Sequence, residues 1–265
     1  MRIFVVIPAY NEERRITETL VDYTNTLIRR YGDNITLLVV SDSTDKTDDV
    51  VETYGKKVKQ VRVVHNEKRI AKGGSVWRGF RMACEELKGD DDIIGFADAD
   101  DSVHGDGLIK LIDYLVDNRE IDGVIGSRYM QGSEIVGQKL SAKRIIASRF
   151  FNGYVRFLFG FHFKDTQCGA KFFRRGALSS LLDRFVLTDI TFDINLLYEF
   201  AKAKKNVVEV PIAYYHNEMD SKILMRSRIP QMFIVALGYR LVRSRLGYLF
   251  PKGIQYKIYD LFRSW

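Results

Sequence analysis

Cysteine is nearly absent from the 265 residues: Cys84 and Cys168 stand alone, in unrelated surroundings. Two isolated thiols exclude a disulfide framework, and with only four histidines no Cys/His spacing suits a zinc site. The expected compartment is a reducing cytosol. Proline is also scarce, at four residues, and no low-complexity or Pro/Gly/Ser-rich linker and no internal repeat divides the chain. No apolar run approaches the ~20 residues that a membrane-spanning helix needs. The first residues, Met1-Arg2-Ile3-Phe4-Val5-Val6-Ile7, read as a strand ending at Pro8 rather than as a signal peptide. What remains is an ordinary globular composition, long enough to bury a substantial core.

Acidic residues are missing from one place in particular. From Ser221 to Trp265 nine basic residues face a single acidic one, Asp260, so that segment carries a surplus of eight positive charges. The net charge of the chain is +7, so residues 1–220 sum to −1. A basic tail interleaved with aromatics suits nucleic acid or an anionic membrane surface. Nucleic acid is the less favoured partner, because the tail is apolar from Met232 to Leu237 and the rest of the chain is slightly acidic.

Strands and helices alternate from the start. Strands are expected at Arg2–Ile7, Ile35–Val40, Val58–Val64 and Ile93–Ala97. Helices are expected from Ile16 to Ile28, Thr44 to Tyr54, and Ser75 to Leu87 behind Gly73-Gly74. That βαβαβαβ run predicts a parallel sheet with helices on both faces. Beyond it come a helix at Gly107–Asp117, a strand at Gly123–Ser127 and an aromatic helix at Ser141–Phe159. They are followed by a short strand at Ala170–Phe173, a helix at Ile190–Lys202 and a strand at Val207–Val210 closed by Pro211. A last helix is expected to open with Pro230 at its first position and run to about Arg245. The two halves are expected to share one sheet.

Each of the first four strands runs into polar residues. Asp98-Ala99-Asp100, after the apolar Ile93–Ala97, is the most pointed case. Carboxylates in this spacing beyond a parallel strand suit a hard cation, Mg²⁺ or Mn²⁺, that also takes oxygens from a diphosphate. The alternative is a solvated acidic turn. After strand one, Tyr10 can stack on a base and Glu12 can accept hydrogen bonds from base or ribose, or Asn11 can simply cap the first helix. After strand two, Asp42 can accept from a nucleobase N–H, while Ser43 or Thr44 can cap a helix. After strand three, Lys72 offers a point charge to a diphosphate, and Gly73-Gly74 offers close backbone approach at a helix start.

Taken in order, Pro8-Ala9-Tyr10-Asn11-Glu12, Asp42 with Ser43-Thr44-Asp45, Lys72-Gly73-Gly74 and Asp98-Ala99-Asp100 resemble the family 2 glycosyltransferases, which have the GT-A fold. Later segments resemble the dolichyl-phosphate sugar synthases within it: Gly126-Ser127-Arg128-Tyr129, Asp165-Thr166-Gln167-Cys168-Gly169-Ala170-Lys171, Thr191-Phe192-Asp193, and Val210-Pro211-Ile212 with Ser221-Lys222. The Asp-Thr-Gln-Cys-Gly form is closer to the glucosyl branch than to the mannosyl branch. The resemblance spans roughly residues 2–222. It implies that Pro8, Tyr10, Glu12 and Asp42 hold the nucleoside and that Asp98 meets nucleotide and metal while Asp100 ligates the metal. It further implies that Arg128, Arg144 and Ser148 bind the acceptor phosphate, with Asp193 as the candidate base. The chain departs from the family in three places. Ser41-Asp42-Ser43 is one residue shorter than the usual second motif, Ser102 stands where mannosyl members often have Gln, and no transmembrane helices follow.

The expectation is therefore a GT-A α/β domain over residues 1–220, with a nucleotide-sugar half (1–105) and an acceptor half (106–220). Residues 221–265 form a basic amphipathic tail for a membrane interface. The expected reaction is metal-dependent, inverting transfer of a hexose, foremost glucose from UDP-glucose, to dolichyl or polyprenyl phosphate on the cytoplasmic face of a membrane. UDP-N-acetylglucosamine, GDP-mannose and a sugar-hydroxyl acceptor stand as alternatives. With a hydroxyl acceptor Asp193 would be a true base; with a phosphate it would orient acceptor, sugar or an arginine. The aromatic stretch Phe150–Phe163 is read either as lipid-facing or as a core helix, and the segment Pro230–Phe250, in the basic tail, as lipid-facing.

Overall fold

The computed structural model of the chain describes residues 1–137, 142–189, 191–216 and 225–244. Its strands are β1 (Ile3–Ala9), β2 (Ile35–Ser41), β3 (Val61–His65), β4 (Ile93–Ala97), β5 (Gly123–Ser127), β6 (Glu134–Gly137), β7 (Ala170–Arg174), β8 (Val207–Pro211) and β9 (Ala213–His216). Its α-helices are α1 (Ile16–Tyr23), α2 (Arg29–Tyr31), α3 (Thr47–Gly55), α4 (Ala71–Glu86), α5 (Gly105–Asp117), α6 (Ala142–Phe159), α7 (Arg175–Ser179), α8 (Phe192–Lys202) and α9 (Met225–Val242). The helix expected at 16–28 is continuous through a π-turn at Thr24–Ile28. It stops at Gly32, whose φ of 60° suits a residue without Cβ.

Seven strands form one sheet in the order β3-β2-β1-β4-β7-β5-β8, and the two halves of the chain do share it. All pairings are parallel except those of β7, which runs antiparallel to both β4 and β5. The architecture is thus a mostly parallel, GT-A-like sheet covered by helices on both faces. Strand β1 is nearly continuous hydrophobe because both its faces are covered. Its pleat sends Ile3, Val5 and Ile7 into the core beneath α1 and α5, and Phe4 and Val6 into the core beneath α4 and α8. A third core joins α6, α8 and α9 through Phe151, Val155, Leu197 and Tyr239. Strands β6 and β9 make a separate two-stranded parallel ribbon, from Glu134↔Ala213 to Gly137↔His216. Residues 213–216 were not expected as a strand.

Three expectations at helix starts are corrected. Helix α3 begins at Thr47, and Asp45 Oδ1 accepts from the Thr47 N–H at 3.0 Å in place of a cap by Ser43 or Thr44. Asn11 does not cap α1: its Oδ1 accepts from the Thr44 N–H at 2.9 Å, which ties the β1 loop to the β2 loop. Helix α9 starts at Met225, so Pro230 lies inside it, not at its first position. As the sixth residue of α9, Pro230 has no N–H to donate to the carbonyl of residue 226, so the second turn lacks one helical hydrogen bond.

Candidate active site

The carboxyl ends of β1, β2 and β4 lie side by side, and the loops that leave them meet on one rim. The loop after β4 is pinned from below by α1. Thr19 Oγ1 donates to the Ala99 carbonyl at 2.8 Å, and the buried Tyr23 hydroxyl donates to the carbonyls of Val103 (3.1 Å) and Asp98 (3.3 Å). Asp98 and Asp100 are therefore presented by a fixed turn rather than by a loose acidic loop. Asp100 Oδ1 accepts from the Ser102 N–H at 3.0 Å. Lys72, in the first turn of α4, places Nζ 2.6 Å from Asp98 Oδ1. Burial raises the Asp98 pKa, and Lys72 opposes that rise.

The glycines beside Lys72 serve the packing of a helix. Both lie inside α4, which opens at Ala71. A Cβ on Gly73 would sit 2.4 Å from Phe192 Cβ, and the Gly74 N–H donates to the Thr188 carbonyl at 3.2 Å. They allow α4 to press against the segment that leads into α8, and so bring Lys72 and Asp193 to the same place. Asp193 is buried in the first turn of α8, and the fully buried Lys171 Nζ lies 2.5 Å from its Oδ1. The same ammonium donates to the Cys168 carbonyl at 2.6 Å.

Among the residues expected at the nucleoside, Pro8 lies in β1 and Tyr10 is exposed, with the Arg69 guanidinium 4.0 Å from its ring centroid. Glu12 is held by Arg15 Nε and Nη2, both at 2.8 Å, and burial, partly offset by that arginine, raises its pKa. Asp42 is buried and already employed. It accepts from Asn66 Nδ2 (2.8 Å) and from the N–H groups of Ile70 (3.1 Å) and Ala71 (2.8 Å). It fixes the loop that positions Lys72, a job invisible in its local sequence.

On the acceptor side Arg128 leaves β5 and makes a two-pronged pair with the buried Asp165, Nε to Oδ2 at 2.6 Å and Nη2 to Oδ1 at 2.8 Å. Its guanidinium also lies 5.4 Å from the Tyr129 centroid and 5.1 Å from that of Tyr214. The Tyr129 hydroxyl and Ser148 Oγ are 2.8 Å apart, and Arg149 lies 5.6 Å from the Tyr129 ring. Arg128 and Ser148 thus gather around Tyr129. The Arg144 side chain, Ser221-Lys222 and the tail beyond Ser244 lie outside the described residues.

Four further residues belong to this site. Gly169 is one: a Cβ there would stand 2.1 Å from Asp98 Oδ2, so any side chain would displace that carboxylate. Lys171 and Tyr214 are two more; Tyr214 feels the charges of Arg128, Asp100 and Asp98. The fourth is Asp101, at φ 54°, whose carboxyl is pushed up to about 8 by burial and by its neighbour Asp22. A pKa raised on folding means that the folded state binds the extra proton. Stability is then full below the ordinary value of 3.8 and falls as pH rises through about 8. Metal-free protein is expected to lose thermal stability across that window. Asp101→Asn should flatten the slope in melting curves recorded from pH 4 to 9.

With this geometry in hand, comparison with known proteins decides the family. The pattern of glycosyl transferase family 2 matches residues 4–182. The chain belongs to glycosyl transferase family 2. It is 28% identical over 255 residues to an undecaprenyl-phosphate mannosyltransferase of Micrococcus luteus, covering 93% of this chain and all of that one. A dolichyl-phosphate beta-glucosyltransferase of Trichomonas vaginalis is 33% identical over 244 residues, covering 84% of this chain and 66% of its own length. In fold, it is similar to a glucosyl-3-phosphoglycerate synthase from Mycobacterium tuberculosis solved with Mn²⁺ and UDP. The TM-score is 0.57 at 23% identity, over 90% of this chain and 79% of that one. The family 2 chain is a glycosyltransferase, with the rim of β1, β2 and β4 as its candidate active site.

Proposed function

We propose that this transferase moves glucose from UDP-glucose to a polyprenyl phosphate, inverting the anomeric centre, with a divalent cation at Asp98 and Asp100. The observation that carries the reading is a pair of unlike clusters linked through Tyr214. Asp98, Asp100 and Lys72 form one; Arg128, Tyr129 and Ser148 form the other; Tyr214 lies within the charge field of both. The first suits a nucleoside diphosphate and its cation, the second an anionic acceptor. Among the described residues no group of three or more His, Cys, Asp or Glu side chains converges on one point. Two carboxylates carried by one anchored turn fit Mg²⁺ or Mn²⁺, which would take its other oxygens from the donor and water. When bound, such an ion offsets charge developing on the departing diphosphate. Lys72 is positioned to share that task.

The acceptor argument runs through Asp193. A phosphate monoester, with a second pKa near ~6, is already ionised and needs no base. Asp193 Oδ1 is occupied by the buried Lys171 ammonium at 2.5 Å, an arrangement that holds the carboxylate in place rather than leaving it open to a hydroxyl proton. That pairing favours a phosphate over a sugar hydroxyl, and gives Asp193 a positioning role. The curated relatives named for undecaprenyl-phosphate and dolichyl-phosphate transfer support the same acceptor class, with both mannosyl and glucosyl members. The test is product formation from labelled UDP-glucose, UDP-N-acetylglucosamine and GDP-mannose, each with polyprenyl phosphate, detergent and Mg²⁺ or Mn²⁺. A lipid-extractable sugar from UDP-glucose is expected. If donors bind and no lipid product forms, the acceptor reading fails.

A lipid acceptor calls for a membrane surface, and we place the docking face on α6 and α9, on the cytoplasmic side. No helix among the described residues is long and apolar enough to cross a membrane. Each helix instead buries one side in the third core and exposes another. Ile146, Phe150 and Phe157 (87% exposed) stand out on α6, and Ile234, Leu237 and Leu241 on α9. The two helices are clasped by Tyr154 Oη donating to the Phe233 carbonyl (3.0 Å) and Arg240 Nε donating to the Leu158 carbonyl (2.7 Å). Arg149 and Arg156 are exposed on the α6 side. Inserting such groups at the acyl boundary contributes about 1.5–3 kcal/mol per large apolar side chain. Phe157→Glu should therefore weaken sedimentation with anionic vesicles by roughly tenfold or more. Unchanged sedimentation would move the membrane face elsewhere.

A further inference from the structure

We propose that Lys72 is the resident counter-ion of Asp98 and makes loading ordered, so that the divalent cation enters with the nucleotide diphosphate and not ahead of it. This inference rests on the donor-site reading above. Lys72 Nζ and Asp98 Oδ1 are 2.6 Å apart, and the two side chains are only 31% and 28% exposed. Lys72 Nζ also lies 5.9 Å from the Phe96 ring centroid and 5.8 Å from that of Phe192, so aromatic walls flank the pair. Asp42 fixes the start of α4 through the Ile70 and Ala71 N–H groups, and Gly73 sets α4 against Phe192. The ammonium is thus delivered to Asp98 by the fold rather than by chance rotation of a surface lysine.

A free divalent ion arriving at this pair meets a carboxylate whose charge is already met. Of the neighbouring anions, Asp193 is matched by Lys171, which leaves Asp100 as a single carboxylate for the ion. A nucleoside diphosphate changes both sides of the exchange. Its oxygens complete the coordination that two protein carboxylates leave short, and its charge gives the ammonium a new partner. Cation and nucleotide then each raise the other's affinity, by the same factor.

The size of the effect follows from the distance. An opposite charge within ~4–6 Å changes a carboxylate's affinity for a proton by about one to three decades. Removing the ammonium should therefore tighten Mn²⁺ binding, in the absence of nucleotide, by on the order of tenfold or more. UDP binding should weaken in the same variant, and the mutual enhancement should shrink.

The experiment titrates Mn²⁺ against the full chain with and without UDP, reading free Mn²⁺ by electron paramagnetic resonance, for wild type, Lys72→Met and Lys72→Arg. Wild type is expected to bind Mn²⁺ weakly alone and far more tightly with UDP. Lys72→Met should bind Mn²⁺ alone at least about tenfold tighter than wild type, and Lys72→Arg should resemble wild type. If wild type binds Mn²⁺ equally well with and without UDP, the ordering is overturned, and this arm depends on no variant. If Lys72→Met gains no affinity for Mn²⁺ alone while wild type still binds Mn²⁺ and UDP together, the counter-ion role fails and the donor site stands. If wild type binds neither Mn²⁺ nor UDP in the presence of the other, both readings fall together.

Discussion

Asp100→Ala is expected to lower product formation by about two to three decades, the scale on which removal of a preorganised charge-stabilising group acts, while leaving the melting temperature nearly unchanged. The two halves of that expectation come from different observations. Asp100 leads a turn that is anchored elsewhere, by Thr19 on the Ala99 carbonyl and by Tyr23 on the carbonyls of Asp98 and Val103. Its own hydrogen bond, from the Ser102 N–H, is one local link on a partly exposed residue, worth about 1 kcal/mol. The fold therefore loses little. The chemistry loses one of two carboxylates available to a cation, and among the described residues no three acids converge on one point. Saturating Mn²⁺ should restore only part of the rate. Activity within tenfold of wild type, in a variant that still melts normally, would detach the Asp-x-Asp pair from the metal and from catalysis.

How much of this was legible in the sequence depended on whether a residue's partner was local. Strands β4 and β5 lie where the apolar runs put them, because a buried strand writes its whole length as hydrophobe. The direction of β7 is not written there. Ala170–Arg174 is buried throughout, and its antiparallel pairing with Gly95 and Val124 depends on how the chain returns to the sheet. Caps failed for a related reason: Asn11, Ser43 and Thr44 all have capping chemistry, yet they bond one another across two loops. The site residues came from motif order, which marked Asp98, Asp100, Lys72, Arg128 and Asp193. Their tethers were harder to see. The sequence offers Asp42 as a base contact and Gly73 as a phosphate neighbour, but says nothing of the three partners of Asp42 in residues 66–71 or of Phe192 beside Gly73. One missed signal was available. A lysine inside Ala170-Lys171-Phe172-Phe173 is costly to bury without an acid, so Lys171 implied a buried carboxylate partner.

That partner supplies the second large effect. Lys171→Met should destabilise the protein by about 3–5 kcal/mol, because it leaves the Asp193 carboxylate buried and unmatched. At roughly 2–4 °C per kcal/mol for a chain of this size, the melting temperature should fall by roughly 6–20 °C. The ammonium is completely buried and its partner nearly so, which removes the solvent screening that makes surface pairs weak. Replacing both members, as Lys171→Met with Asp193→Leu, should recover most of the loss, since a buried pair replaced by apolar groups is often neutral. Additive losses in the double variant would mean that the two residues act separately, through Lys171 on the Cys168 carbonyl and Asp193 on the α8 start. Activity separates structure from chemistry in the same set. The double variant should fold and remain nearly inactive, because Asp193 no longer sits beside Lys72 and Asp98 to set their charge balance. Asp193→Asn then distinguishes positioning from proton transfer. With a phosphate acceptor its rate should fall without a change in the shape of the pH profile, whereas loss of an acidic limb would make Asp193 the base and a hydroxyl the acceptor.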